Sequence, residues 1–273
     1  MTRTVDFPSG ITLPALGQGT WHMGDDPARR DDEIAALRAG LDAGLTLVDT
    51  AEMYGSGASE RLVGDALRGR RDDVFLVSKV LPSHATADGV RAACHASLDR
   101  LGTDHLDLYL LHWPGDVPIE ETVAGFDRLV ADGSIRDWGV SNVDLDGLDA
   151  LPTAPATDQI LYNLLRRGPE FDLLPALADR AIPAMAYSPV DEGRVLAHPE
   201  IERVAGELGV TAAVLALAWV IRSGHVLAIS KAGSIEHVAD NARALDLDLG
   251  TDVLAELDRL FPPPTRATPL EII

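Results

Sequence analysis

Lys79 and Lys231 are the only lysines among 23 basic residues, the rest being arginines. A chain that otherwise uses arginine for its cations marks these two positions as places where a guanidinium would not serve. An ammonium is a compact charge on a slim stem whose pKa moves on burial, whereas a guanidinium stays charged and asks for a fork-shaped partner. Both lysines close short apolar runs, VFLVSK and VLAISK. Other runs close on polar residues too: TLVD on Asp49, with Tyr54 five residues on, LDLYLLH on His112, DWGVSN on Ser141 and Asn142, and IPAMAY on Tyr187, while DQILY, which closes on Tyr162, carries Gln159. A tyrosine beside a lysine that a carboxylate holds in place is a proton donor, because the ammonium lowers the phenol pKa from about 10 toward the working pH. A histidine on the next run could hold a carbonyl oxygen against the Tyr54 hydroxyl. Asp49, Tyr54, Lys79 and His112 together suit an aldehyde or ketone polarised for hydride attack.

These residues must converge from distant parts of the chain, and the alternation of the sequence supplies the means. Eight apolar runs end near Gly19, Asp49, Lys79, His112, Asn142, Tyr162, Tyr187 and Lys231, spaced 20 to 44 residues apart, which is about the length of a β/α unit. Between them lie segments of helical periodicity such as Ile34, Leu37 and Leu41, or Val123, Phe126, Leu129 and Val130. Gly44, Gly102 and Gly133 are placed to end helices. TVDF and ITLP, separated by PSG, predict a short N-terminal hairpin, and extra helices are expected near 200–207 and 211–222. The expected fold class is therefore α/β, a closed (β/α)8 TIM barrel in a single domain over residues 1–273, with a tail from Phe261 that lacks regular structure. An open doubly wound sheet is the competitor, but ALGQGTWHMG lacks the GxGxxG spacing such sheets show after their first strand. In a barrel, side chains at the carboxyl ends of the strands meet at one face.

The motifs DTAEMYGSGASERLVGDAL, LVSK, LYLLHWP, GVSN, YSP and ISKAGSIEHVADN, in this order from about Leu13 to Asn241, resemble those of the aldo-keto reductases, most of all the bacterial branch that reduces methylglyoxal and other short aldehydes. The resemblance implies a nicotinamide dinucleotide bound by a barrel, NADP(H) with NAD(H) as the alternative, and a catalytic tetrad at Asp49, Tyr54, Lys79 and His112. It places the carboxamide on Ser141, Asn142 and Gln159 and the ring on Tyr187. The pyrophosphate would pass Ser188, Pro189 and Val190, a 2′-phosphate would meet Lys231 and Ala232, and Asn241 would meet adenine. Gly19 and Thr20 complete the implied cofactor contacts. Trp21 and Trp113 would line the substrate pocket with Tyr54 and His112. His237 stands where many members carry an arginine for adenine and the 2′-phosphate, and Asp158 where an asparagine is common. The short segment after His112 and the short tail imply an open, shallow pocket.

Plainer readings exist for several of these residues. Asp49 could cap a helix, Tyr187 could simply pack, and Lys231 could pair with Asp191 or Glu236. A nicotinamide-occupancy sensor with little turnover is the alternative to the reductase, and would need an added partner segment or a damaged tetrad, neither of which the sequence contains. A formal charge of −20 argues against nucleic acid and anionic membrane as partners. A small-molecule carbonyl is the expected partner, with a monomer as the default. The start MTRTVDFPSG lacks the n- and h-regions of a signal peptide, and no apolar run is long enough for a membrane span, so a cytoplasmic location is expected. The single cysteine, Cys94, lies on the apolar face of a helical segment and reads as core. No His/Asp cluster has metal-ligand spacing.

Overall fold

A computed structural model describes residues 2–273. Eight parallel strands close a barrel: β3 (Leu16–Gly19), β4 (Leu47–Asp49), β5 (Phe75–Val80), β6 (Leu106–Leu111), β7 (Ile135–Ser141), β8 (Asp158–Leu161), β9 (Ala184–Tyr187) and β10 (Val226–Ser230). They pair in chain order, and β10 returns to pair with β3. Every residue of β5 and β6 is buried, as expected for parallel strands covered on both faces. The predicted hairpin forms from β1 (Thr4–Asp6) and β2 (Thr12–Pro14). It packs its Phe7 ring 5.6 Å from that of Phe75, the first residue of β5, and so covers the amino-terminal end of the barrel.

The outer layer consists of α1 (Arg30–Asp42), α2 (Ala58–Ala66), α3 (Ala87–Leu101), α4 (Ile119–Asp132), α5 (Leu145–Ala150), α6 (Leu173–Asp179), α7 (Pro199–Glu207), α8 (Ala212–Val220), α9 (Ile235–Ala242) and α10 (Thr251–Leu260). Their ends follow local chemistry. Thr86 caps α3 by accepting from the Gly89 amide, and the helix stops at Gly102 with φ 66°. Gly133 ends α4 in the same left-handed conformation, at φ 82°, which costs a residue without Cβ little. The expected extra helices are α7 and α8. No single helix among the described residues is long and apolar enough to cross a membrane, and α8 is buried from Val214 to Val220.

Phe261 onward has no helix or strand, as expected, yet the tail is tied down. Arg167 donates to Asp258 and to the Phe261 carbonyl, and Arg166 reaches Glu271 at 2.6 Å. Cys94 is fully buried, and burial pushes its thiol up to about 12. Trp138 and Trp219 are core residues as well. Tyr162, at the end of the sixth run, turns its hydroxyl to Glu170 and Arg222 and so supports the wall.

Candidate active site

Parallel register brings the polar strand ends to one mouth. Asp49 ends β4, Lys79 lies near the end of β5, and His112 follows β6. The Lys79 Nζ is 2.6 Å from Asp49 Oδ1, 2.8 Å from the Thr50 carbonyl and 3.2 Å from Tyr54 Oη, and Lys79 is 0% exposed. Burial alone would lower the Lys79 pKa, but the Asp49 carboxylate and the Tyr54 hydroxyl outweigh it and hold the ammonium above its usual value. The Tyr54 and His112 rings meet edge to face at 5.7 Å. Burial, with Lys79 nearby, depresses His112 to about 3, so the imidazole is neutral at physiological pH. Its Nδ1 is buried without a partner.

One expectation is reversed. The ammonium was expected to lower the Tyr54 phenol toward neutrality. In the structure burial raises the phenol above 10, Lys79 pulls it down by less, and Asp49 adds to the rise. Tyr54 is therefore a fully protonated acid. A nearby cation offsets the cost of burial without overturning it.

The remaining strand ends interlock. Gln159 donates to Asp49 Oδ2 at 2.9 Å, and Ser141 donates to the Gln159 carbonyl at 2.8 Å. Asn142, in the left-handed region at φ 60°, gives its two amide protons to the His112 carbonyl and Ser141 Oγ, while its Oδ1 accepts from the Tyr187 hydroxyl at 2.8 Å. Thr20, 0% exposed, donates to the Asp49 carbonyl and accepts from Ser59, so its hydroxyl braces the loop after Gly19 from below. Ser188 and Asp191 also have left-handed φ, at 45° and 49°, and bracket Pro189 and Val190. Such non-glycine backbone is costly and clusters at functional loops. Asn241, nearly buried, donates to Ser230 Oγ, and Ala232 is buried beside them. Lys231 and His237 are exposed.

Lys231 makes no ion pair among the described residues. Asp191, one suggested partner, is taken by Arg166 and Arg194 instead. Trp113 lies 4.8 Å from the His112 ring, and Trp21 is 41% exposed on the loop after β3. Sequence reasoning missed the tail. Burial pushes the Tyr187 hydroxyl up to about 12, against a smaller downward pull from the Ile273 backbone at the end of that tail. No group of three or more His, Cys, Asp or Glu among the described residues is placed to hold a metal ion.

A (β/α)8 barrel whose mouth gathers a buried lysine–aspartate pair, a phenol and a neutral imidazole defines a class of oxidoreductase that acts on carbonyl groups. A model of the aldo/keto reductase family matches residues 15–261, and the chain belongs to that family. It is 47% identical over 281 residues, spanning 99% of both chains, to the methylglyoxal reductase YeaE of Escherichia coli strain K12. An aldo-keto reductase of Klebsiella pneumoniae, solved in complex with NADPH, superposes with a TM-score of 0.97 at 51% identity and full coverage of both chains. The aldo-keto reductase Tm1743, solved with the inhibitor epalrestat, superposes at a TM-score of 0.87 with 36% identity, covering 94% of this chain and 99% of its own.

Proposed function

We propose that this chain uses NADPH to reduce aldehydes and reactive dicarbonyls of the methylglyoxal type to alcohols, with Asp49, Tyr54, Lys79 and His112 as the catalytic residues. The observation that carries the reading is the fully buried Lys79 ammonium between Asp49 and the Tyr54 hydroxyl. The donor set around it fits a nicotinamide dinucleotide. Hydroxyl and amide groups at Ser141, Asn142 and Gln159 suit a carboxamide, the half-buried Tyr187 offers a ring face, and the unpaired Lys231 suits a phosphate. Both amide protons of Asn142 are already used, so a carboxamide would engage its Oδ1 in competition with the Tyr187 hydroxyl. Ser188 to Val190, Ala232, His237 and Asn241 lie along the remainder of this face.

When bound, the cofactor supplies a hydride to the carbonyl carbon. The protein supplies the proton and the orientation. The neutral His112 has a single N–H. With Nδ1 buried and bare, we assign that proton to Nε2, where it can donate to a carbonyl oxygen. Tyr54 Oη gives its proton to the same oxygen as negative charge develops there, and the phenolate left behind faces the Lys79 ammonium at hydrogen-bond distance until solvent reprotonates it. Asp49 keeps Lys79 charged, and Gln159 keeps Asp49 in place. Trp21 and Trp113 would border the substrate with Tyr54 and His112. All these groups come from one chain, which suits a single-domain monomer, and the one cysteine is a buried free thiol, as suits a cytoplasmic protein.

Tyr54→Phe removes the proton donor and keeps the shape of the ring. Its kcat should fall by about 10²–10⁴-fold while cofactor affinity, read by fluorescence titration, stays near that of the wild type. A variant that turned over at the normal rate would remove Tyr54 from the mechanism.

A further inference from the structure

His237 replaces the arginine that the resemblance leads one to expect at the start of α9, which would leave Lys231 to hold a 2′-phosphate alone. The hollow at Gly233 contains a second cation. A Cβ built on Gly233 would stand 2.7 Å from Nη2 of Arg29 and 3.6 Å from Nζ of Lys231. Both charges therefore border one small space, kept open because residue 233 has no side chain. Arg29 ends the 3₁₀ turn Pro27–Arg29 that leads into α1, and α1 packs directly against α9. Residues some two hundred positions apart in sequence meet there.

Two adjacent cations repel, and this chain has ample means to neutralise them, since it carries 43 acidic residues. It does not do so. Among the described residues only Arg29, Arg38, Arg61 and Arg266 of the arginines have no ion pair, and Arg38 and Arg61 donate to backbone carbonyls instead. The Arg29 guanidinium makes neither kind of bond. It also sits at the amino-terminal end of α1, where the helix dipole disfavours a cation. The unpaired ammonium, the unpaired guanidinium and the open glycine hollow between them are jointly suited to an external dianion. A guanidinium fork matches phosphate oxygens two at a time.

We propose that Arg29 is the guanidinium arm of the 2′-phosphate site, reaching from the connection between β3 and α1 to the phosphate that Lys231 holds from the end of β10, and so sets the preference for NADPH over NADH. This rests on the reading above that the adenosine half of the cofactor lies along Lys231 to Asn241.

Calorimetric titration with adenosine 2′,5′-bisphosphate and with adenosine 5′-monophosphate separates the two claims without any turnover. Wild type should favour the bisphosphate, and Arg29→Gln should lose that preference by on the order of tenfold or more with little change for the monophosphate. Arg29→Lys should recover part of it, and the ratio of KM for NADPH to KM for NADH should shift in parallel. If Arg29→Gln keeps the full preference while Lys231→Gln loses it, Lys231 holds the phosphate alone and the proposal is wrong. If wild type itself does not distinguish the two nucleotides, the NADPH reading and the proposal fall together.

Discussion

Asp158 carries a carboxyl into complete burial, with neither oxygen hydrogen-bonded, directly before Gln159 on β8. Burial pushes it well above the usual carboxylate range, against a smaller pull from the Val143 amide, so the folded protein holds it protonated. An unfolded chain would ionise it near 3.9. Above that pH the unfolded state has fewer protons than the folded one, and stability is lost as pH rises toward the folded pKa. Asp158→Asn keeps the shape and removes the titration. It should stabilise the protein by about 1–3 kcal/mol at neutral pH, with the gain vanishing below the carboxylate range, as thermal unfolding at several pH values would show. An equal gain at all pH values would mean that packing, not protonation, is responsible. This residue also marks a limit of reading the sequence. Asp49, Tyr54, Lys79 and His112 were legible because unusual residue types stood in strand-end register. The burial that raises the Tyr54 phenol and protonates Asp158 is a property of neighbours brought in from elsewhere, which no local pattern records.

At the scale of elements, the site depends on helices held close behind it. Tyr54 opens a 3₁₀ turn that runs directly into α2, and α2 lies against α3 through Gly64. A Cβ at Gly64 would come within 2.5 Å of the Leu101 carbonyl oxygen and 2.8 Å of its carbon, and backbone at the end of α3 cannot swing aside as a side chain would. Glu60 and Arg100 join the same two helices. Gly64→Ala would gain at most about 1 kcal/mol in helix propensity but should lose about 1–3 kcal/mol to overpacking. We expect a lower Tm and, because Tyr54 rides on the displaced segment, a lower kcat. An unchanged or higher Tm would show that α2 can shift freely. The strands and most helix ends were readable from apolar runs and from Gly102 and Gly133. The anchoring of the tail was not, because Arg166 and Glu271 meet only after the chain has closed on itself. The same holds for Thr20, whose hydroxyl serves Asp49 from beneath.

For the molecule as a whole, the contrast is between a chain of charge −20 and two cations, Lys231 and Arg29, that stand side by side at Gly233 with no ion pair among the described residues. A strongly anionic protein repels an anionic dinucleotide at long range, so recognition must be local, at Lys231 and its surroundings. The barrel makes this possible by gathering side chains from eight separate β/α units at one rim, which is also why the motifs that resemble the family lie in order over most of the sequence. The choice between reductase and occupancy sensor rests on turnover by the intact enzyme. The decisive measurement follows cofactor absorbance with NADPH and with NADH in the presence of methylglyoxal and a panel of short and aromatic aldehydes. Rapid oxidation, faster with NADPH, is the predicted result. Tight cofactor binding with no turnover of any carbonyl would contradict the account and leave the intact tetrad serving as a sensor.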